Sequence, residues 1–127
     1  MRFTTERHEL EEADGFPLTN AGEKLFVVLP RGVTEGFTQA LRSRRYKQDP
    51  EGKHANACLL WLVEKWNLDD DNGDLLQLMR DVWSPFEPDE NVEERDRILR
   101  FIPLALPGFI ARQTIDKPVL SKKAEDF

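Results

Sequence analysis

Apolar residues recur at spacings of three and four through Ala55, Cys58, Leu59, Leu62, Val63 and Trp66, the pattern of a buried helical stripe. Leu60, Trp61 and Lys65 fall off that stripe, so the predicted helix has neighbours on more than one side. Upstream the period differs. Leu25, Phe26, Val27, Val28 and Leu29 form one continuous, strand-like run bounded by Gly22 and Pro30. Turn signals at Asp14 with Gly15, and at Asn20, Ala21 and Gly22, divide residues 2–29 into short extended pieces such as Phe16, Pro17 and Leu18. The pattern predicts a small β-hairpin, or two paired strands, within residues 1–30.

Helical periodicity takes over at Thr34, a capping residue followed by Glu35 in the first turn. Phe37, Ala40 and Leu41 share one face, and Arg42, Arg44, Arg45 and Lys47 crowd the far end, where cations complement the helix dipole. Asp49, Pro50, Glu51 and Gly52 break the chain before the stripe described above. Beyond it, residues 67–73 read as a loop, and Asp74 as the cap of a further helix carrying Leu75, Leu76, Met79, Val82 and Trp83. Pro85 and Pro88 exclude regular helix just after Trp83. Asp89 or Asn91 then starts another helix, with Val92, Ile98, Leu99 and Ile102 inward and Glu93 four residues before Arg97. Pro103 and Pro107 interrupt the next segment, and Leu106, Phe109, Ile110 and Ile115 mark a last short helix.

The expected fold class is therefore α+β and mostly α: a small N-terminal β-hairpin followed by a bundle of about four to five short helices. The 127 residues fit a single domain, with residues 1–30 extended, 34–115 a helical body and 117–127 a loose tail.

Composition narrows the function classes. Three Trp and eight Phe supply enough large side chains for a core, though a small one that a partner or a homo-oligomer would help to cover. A net charge of −6 repels phosphate backbones and argues against a general nucleic-acid binder. Cys58 is the only cysteine, so neither an intramolecular disulfide nor a cysteine-based zinc site is expected. The first dozen residues lack the apolar centre of a signal peptide, and no apolar run is long enough to span a bilayer, so a cytoplasmic location is expected.

The stretch WNLDDDNGDLL, residues 66–76, raises the question of calcium. An EF-hand loop needs oxygen ligands at its first, third, fifth and twelfth positions and glycine at its sixth. With Gly73 sixth, Asn72 and Asp70 fit, but Leu68 falls first and Met79 twelfth, and neither ligates a hard cation. An irregular calcium site would need Asp69, Asp70, Asp71 and Asp74 to converge. The competing reading is a turn, in which Asn72 and Gly73 tolerate positive φ and the aspartates bond nearby amides. That turn is a corner between two helices, anchored by Trp66 and Leu68 on one side and by Leu75 and Leu76 on the other. No cofactor is expected on this reading.

Other candidates for chemistry are sparse. His8 and His54 lie in different segments, and His54, opening a helix beside Lys53 and Asn56, reads as solvated or capping. Cys58 on the apolar stripe reads as core. Gly15, Gly22, Gly32 and Gly36 are too scattered for a phosphate loop, and no enzyme signature emerges. Arg42, Arg44 and Arg45, with Tyr46 and Lys47, have two open readings: a weak phosphate-contacting patch, or a solvated helix end making ion pairs.

Leu62 and Val63, then Trp66-Asn67-Leu68, then Asp70-Asp71-Asn72-Gly73 carry a resemblance across residues 56–115. This part of the chain resembles bacteriophage proteins of the tail assembly chaperone type and the small tail or neck proteins related to them. In that type a turn of the form W-N-L-x-D-x-x-G closes one helix and starts the next. Residues 24–44 also fit its order of a short β-element feeding a helical body. The type usually continues with an apolar residue and a proline, whereas here Leu75, Leu76, Gln77 and Leu78 follow and the prolines wait until Pro85 and Pro88. The resemblance implies a non-enzymatic protein of the host cytoplasm that binds tape-measure or tail-tube proteins through exposed apolar helix surfaces. Alternatives are a structural tail or neck ring subunit of the virion, and a small regulator using residues 42–47. Candidate contact residues are Trp61, Trp83, Phe86, Phe101 and Phe109, together with Arg42, Arg44 and Arg45.

Overall fold

In the computed structural model, which describes residues 2–44 and 47–116, the expected tail 117–127 and the pair Arg45 and Tyr46 lie outside the described residues. The apolar run becomes strand β2, Leu25–Pro30, with Leu25, Val27 and Leu29 buried and the alternate residues only half-covered. It pairs antiparallel with β1, Thr5–Leu10, in a register running from Thr5 opposite Pro30 to Leu10 opposite Leu25. Proline, which has no N–H to give, sits at the last position of β2, and Arg31 N–H resumes the ladder to the Thr4 carbonyl at 2.9 Å.

Helix α1, Glu35–Arg42, starts where expected, with the Thr34 hydroxyl accepting from Phe37 N–H at 3.1 Å. Helix α2, Lys53–Trp61, takes its cap from outside the helix. The Asp49 carboxylate accepts from His54 N–H at 2.9 Å and Ala55 N–H at 3.1 Å. Ala57, Cys58, Leu59 and Leu60 of α2 are all buried, because α1, α3 and α4 pack around it. Helices α3, Val92–Leu99, and α4, Leu106–Thr114, complete an α+β fold that has four helices and one three-stranded sheet among the described residues. Pro107 does not interrupt α4. It occupies the first turn, where a missing N–H costs nothing.

Two sequence expectations are corrected. The helix itself ends at Trp61, and Trp66 belongs instead to a third strand, β3, Lys65–Trp66. Glu64 N–H reaches the Val28 carbonyl at 2.9 Å, and Lys65 and Trp66 lie opposite Val28 and Val27. The open edge of β2 offers backbone partners that one more helical turn could not supply, so tertiary pairing overrides the period. The helix expected from Asp74 is also absent. Residues 68–76 form a second small antiparallel hairpin with Asp69 opposite Leu75, and only Met79–Asp81 makes a short 3-10 turn. Leu76 N–H donates to the Leu68 carbonyl at 2.8 Å and Asp70 N–H to the Asp74 carbonyl at 2.9 Å. The acidic stretch is thus a hairpin turn rather than a corner between helices. Gly73, at φ +83°, supplies the left-handed residue that the turn requires.

Candidate partner-binding cleft

The acidic hairpin is occupied by its own neighbours. Asp69 Oδ2 accepts from Asn20 N–H at 2.9 Å, and Asp70 Oδ1 accepts from the amides of Asn72 at 2.8 Å and Asp74 at 3.0 Å. Asn20 Nδ2 donates to the Asp70 carbonyl at 2.9 Å, which ties the hairpin to the loop between β1 and β2. Among the described residues no group of three or more His, Cys, Asp or Glu side chains is gathered to hold a metal.

His54 departs from its solvated reading. It is 2% exposed, its Nε2 lies 2.9 Å from the Ala40 carbonyl and 3.4 Å from Cys58 Sγ, and Trp83 meets its ring edge-on. The short contact to a carbonyl places the ring proton on Nε2. Nδ1 is buried without a hydrogen-bond partner among the described residues. Cys58 one turn later is the core residue expected of it. Burial first, and the Asp49 charge second, push its thiol up to about 12, so it stays protonated at neutral pH.

The expected contact residues separate into three groups. Trp83 is 3% exposed and donates its indole N–H to the Pro88 carbonyl at 3.1 Å, so its ring belongs to the core. Phe101 and Phe109 are half-buried against the core, Phe109 edge-on to His8 and Phe16. Trp61 and Phe86 come together, with ring centroids 5.7 Å apart at 83°, and Phe86 is 55% exposed. Of the cations, Arg42 is exposed, Arg44 pairs with Asp89, and Arg45 lies outside the described residues.

Trp61 and Phe86 form part of a cleft of about 260 Å³ that also takes in Phe3, Phe37, Glu64 and Arg80. Phe37, one turn into α1, stacks on Trp61 at 6.0 Å and 17°. Arg80, delivered by the 3-10 turn, donates through Nε to the Trp61 carbonyl at 3.2 Å and through Nη2 to the Leu62 carbonyl at 3.3 Å. It thereby closes the carboxyl end of α2, where a cation is electrostatically favoured. Its guanidinium carbon also lies 5.5 Å from the Trp61 ring centre, a cation–π distance. Gly32 allows Phe3 to close one wall, because a Cβ there would meet the Phe3 ring at 3.0 Å.

A larger groove of about 400 Å³ runs between α2, α3 and the start of α4, but Lys53, Asp96 and Arg100 line it among its apolar residues. The Trp61 cleft instead gathers the rings of Phe3, Phe37, Trp61 and Phe86, and such rings anchor protein contacts. Sequence reasoning finds Trp61 and Phe86 by their size and misses Phe3, Phe37 and Arg80. No local signal marks Arg80, which the periodicity places inside a helix.

Among the described residues no helix is long and apolar enough to cross a membrane. Comparison with known proteins finds no matching family model, no matching curated protein and no matching solved structure.

Proposed function

We propose that this chain is a non-enzymatic binding protein of the bacteriophage tail assembly chaperone kind. It holds an apolar segment of a tape-measure or tail-tube protein in the host cytoplasm until the tail polymerises. The observation that carries this reading is the half-open aromatic cleft, in which Phe86 stands 55% exposed against Trp61. A ring left that exposed gives up burial that a partner would restore. The resemblance carried by Leu62, Val63 and residues 66–73 supplies the class of partner, and a net charge of −6 keeps a protein with such a surface soluble.

The test is co-expression with the tape-measure and tail-tube proteins of the same genome, followed by affinity capture. Capture that is lost in the Trp61→Ala, Phe86→Ala double variant, with the chain absent from finished particles, is the expected result. Capture unchanged by that variant, or no capture at all, overturns the reading. Recovery of the chain from purified virions would assign it to a tail or neck ring instead.

A further inference from the structure

Each tryptophan side chain carries one N–H donor, and the three have different fates. Trp66 donates to the Leu76 carbonyl at 2.8 Å and Trp83 to the Pro88 carbonyl at 3.1 Å. The Trp61 N–H has no acceptor among the described residues, and it is not one of the buried, unpartnered polar atoms. It is therefore not sealed from solvent, and Trp61 itself lines the cleft. Arg80 sits beside the same indole with Nε and Nη2 bonded to backbone carbonyls, so Nη1 is left without an acceptor among the described residues. Arg2, 85% exposed, adds a second positive charge at the rim, and Glu64 at 3.6 Å from it is the single acid of the cleft among the described residues. On a protein of net charge −6, two guanidinium groups stand here against one carboxylate, and the Trp61 N–H and Arg80 Nη1 have no acceptor among the described residues.

The volume restricts what enters. About 260 Å³ is below the roughly 300–1,000 Å³ of ordinary small-molecule sites, and suits one anchoring side chain of a larger partner. We infer that the Trp61 cleft recognises a protein segment that presents a large apolar side chain next to a carboxylate. The apolar group packs among Phe37, Trp61 and Phe86. The carboxylate accepts from the Trp61 indole N–H and the free Nη1 of Arg80, a charge-assisted pairing on a guanidinium already fixed by its other bonds. This inference rests on the proposed binding role of the cleft and names the chemistry of its partner.

Three synthetic amphipathic peptides of one length test it by calorimetry: leucine and phenylalanine anchors flanked by aspartate, by asparagine or by lysine. The aspartate peptide is expected to bind about tenfold more tightly than the asparagine peptide, with the lysine peptide weakest. The preference should shrink with added salt. It should also shrink in Trp61→Phe, which keeps a ring and removes the donor, and in Arg80→Gln. Because the peptide series is read on the unaltered protein, a poorly folded Arg80 variant does not blunt the test. Equal binding of all three peptides overturns the carboxylate preference and leaves the cleft as an apolar binding site. Absence of binding by the aspartate peptide at millimolar concentration overturns the inference. If Trp61→Ala also leaves capture of tail proteins unchanged, the binding role falls with it.

Discussion

The indole N–H of Trp66 donates to the carbonyl of Leu76 across 2.8 Å, joining β3 to the far arm of the acidic hairpin. Trp66 is 3% exposed, so that carbonyl has no ready water to replace the donor. Trp66→Phe keeps most of the apolar volume and leaves a buried acceptor unsatisfied, a loss of about 1–3 kcal/mol. Trp66→Ala adds a cavity and should cost about 3–5 kcal/mol. Urea unfolding of both variants, with far-UV circular dichroism as the probe, measures the difference. A cost near zero for Trp66→Phe would mean that the bond contributes little beside packing.

Asn67 uses its side chain as a strand would use its backbone. Its Oδ1 accepts from Phe26 N–H at 2.8 Å and its Nδ2 donates to the Lys24 carbonyl at 2.9 Å, extending the pairing of β2 past the end of β3. Asn67→Asp retains the acceptor and loses the donor, and Asn67→Ala loses both. The expected order of stability is native, then Asp, then Ala, with Ala down by about 1–3 kcal/mol. Hydrogen exchange at the Phe26 amide should quicken in Asn67→Ala and stay slow in Asn67→Asp.

These two residues also show which parts of the fold are legible in the sequence. The run from Leu25 to Leu29, the Thr34 cap of α1 and the apolar spacing of α4 are local signals, and all three elements stand where their patterns put them. Trp66 is different. An inward position four residues after Leu62 satisfies a helical stripe, and an inward position on a two-residue strand satisfies it equally. Only the approach of Val27, 39 positions earlier in the chain, decides between them. The same holds for the cleft. Trp61 and Phe86 are recognisable as large apolar side chains, but Phe37 and Arg80 join them only once α1 and the 3-10 turn have packed against the end of α2. His54 reads as solvated for a similar reason, since its partner, the Ala40 carbonyl, belongs to another helix.

Cys58 gives a prediction with a pH sign. Its thiol rises from 9.0 to about 12 on folding, chiefly through burial. Below pH 9 both states hold the proton and the group has no effect on stability. Between about pH 9 and 12 the unfolded chain releases its proton first, so stability should fall as pH rises through that window. Cys58→Ala should flatten this part of the pH profile. At neutral pH, alkylation of native Cys58 should proceed only through opening of the fold and should speed up sharply in denaturant. Fast labelling of the native protein would contradict the buried, protonated thiol.

Calcium addresses the acidic hairpin directly. Asp69 Oδ2 and Asp70 Oδ1 already accept backbone N–H bonds, so drawing them onto a cation would sacrifice contacts that hold the turn. The melting temperature should be the same in about 1 mM calcium as in excess chelator, a range that covers even weak extracellular-type sites. Asp70→Ala, by contrast, should lower stability by about 1–2 kcal/mol through loss of the two turn bonds. A calcium-dependent rise in melting temperature that Asp70→Ala abolishes would instead show a bound ion.

The binding role proposed for the cleft makes stability and binding separable. Phe86 is 55% exposed, so Phe86→Ala should cost under about 1 kcal/mol of stability, yet it removes one wall of the aromatic site and should abolish capture of the partner. Gly32 offers a second route, since the nearest atoms that a side chain there would meet all belong to Phe3. In Gly32→Ala the new methyl would lie 3.0 Å from one Phe3 ring carbon and 3.3 Å from another, so the ring must give by a few tenths of an ångström. Phe3 lies ahead of β1 and is only half-buried, so it can swing outward with little loss of stability. Partner binding should weaken because the wall has moved, while Trp61, Phe37 and Arg80 remain as they were. Binding unaffected by Gly32→Ala and abolished by Phe86→Ala would confine the working surface to the Trp61 and Phe86 side of the cleft.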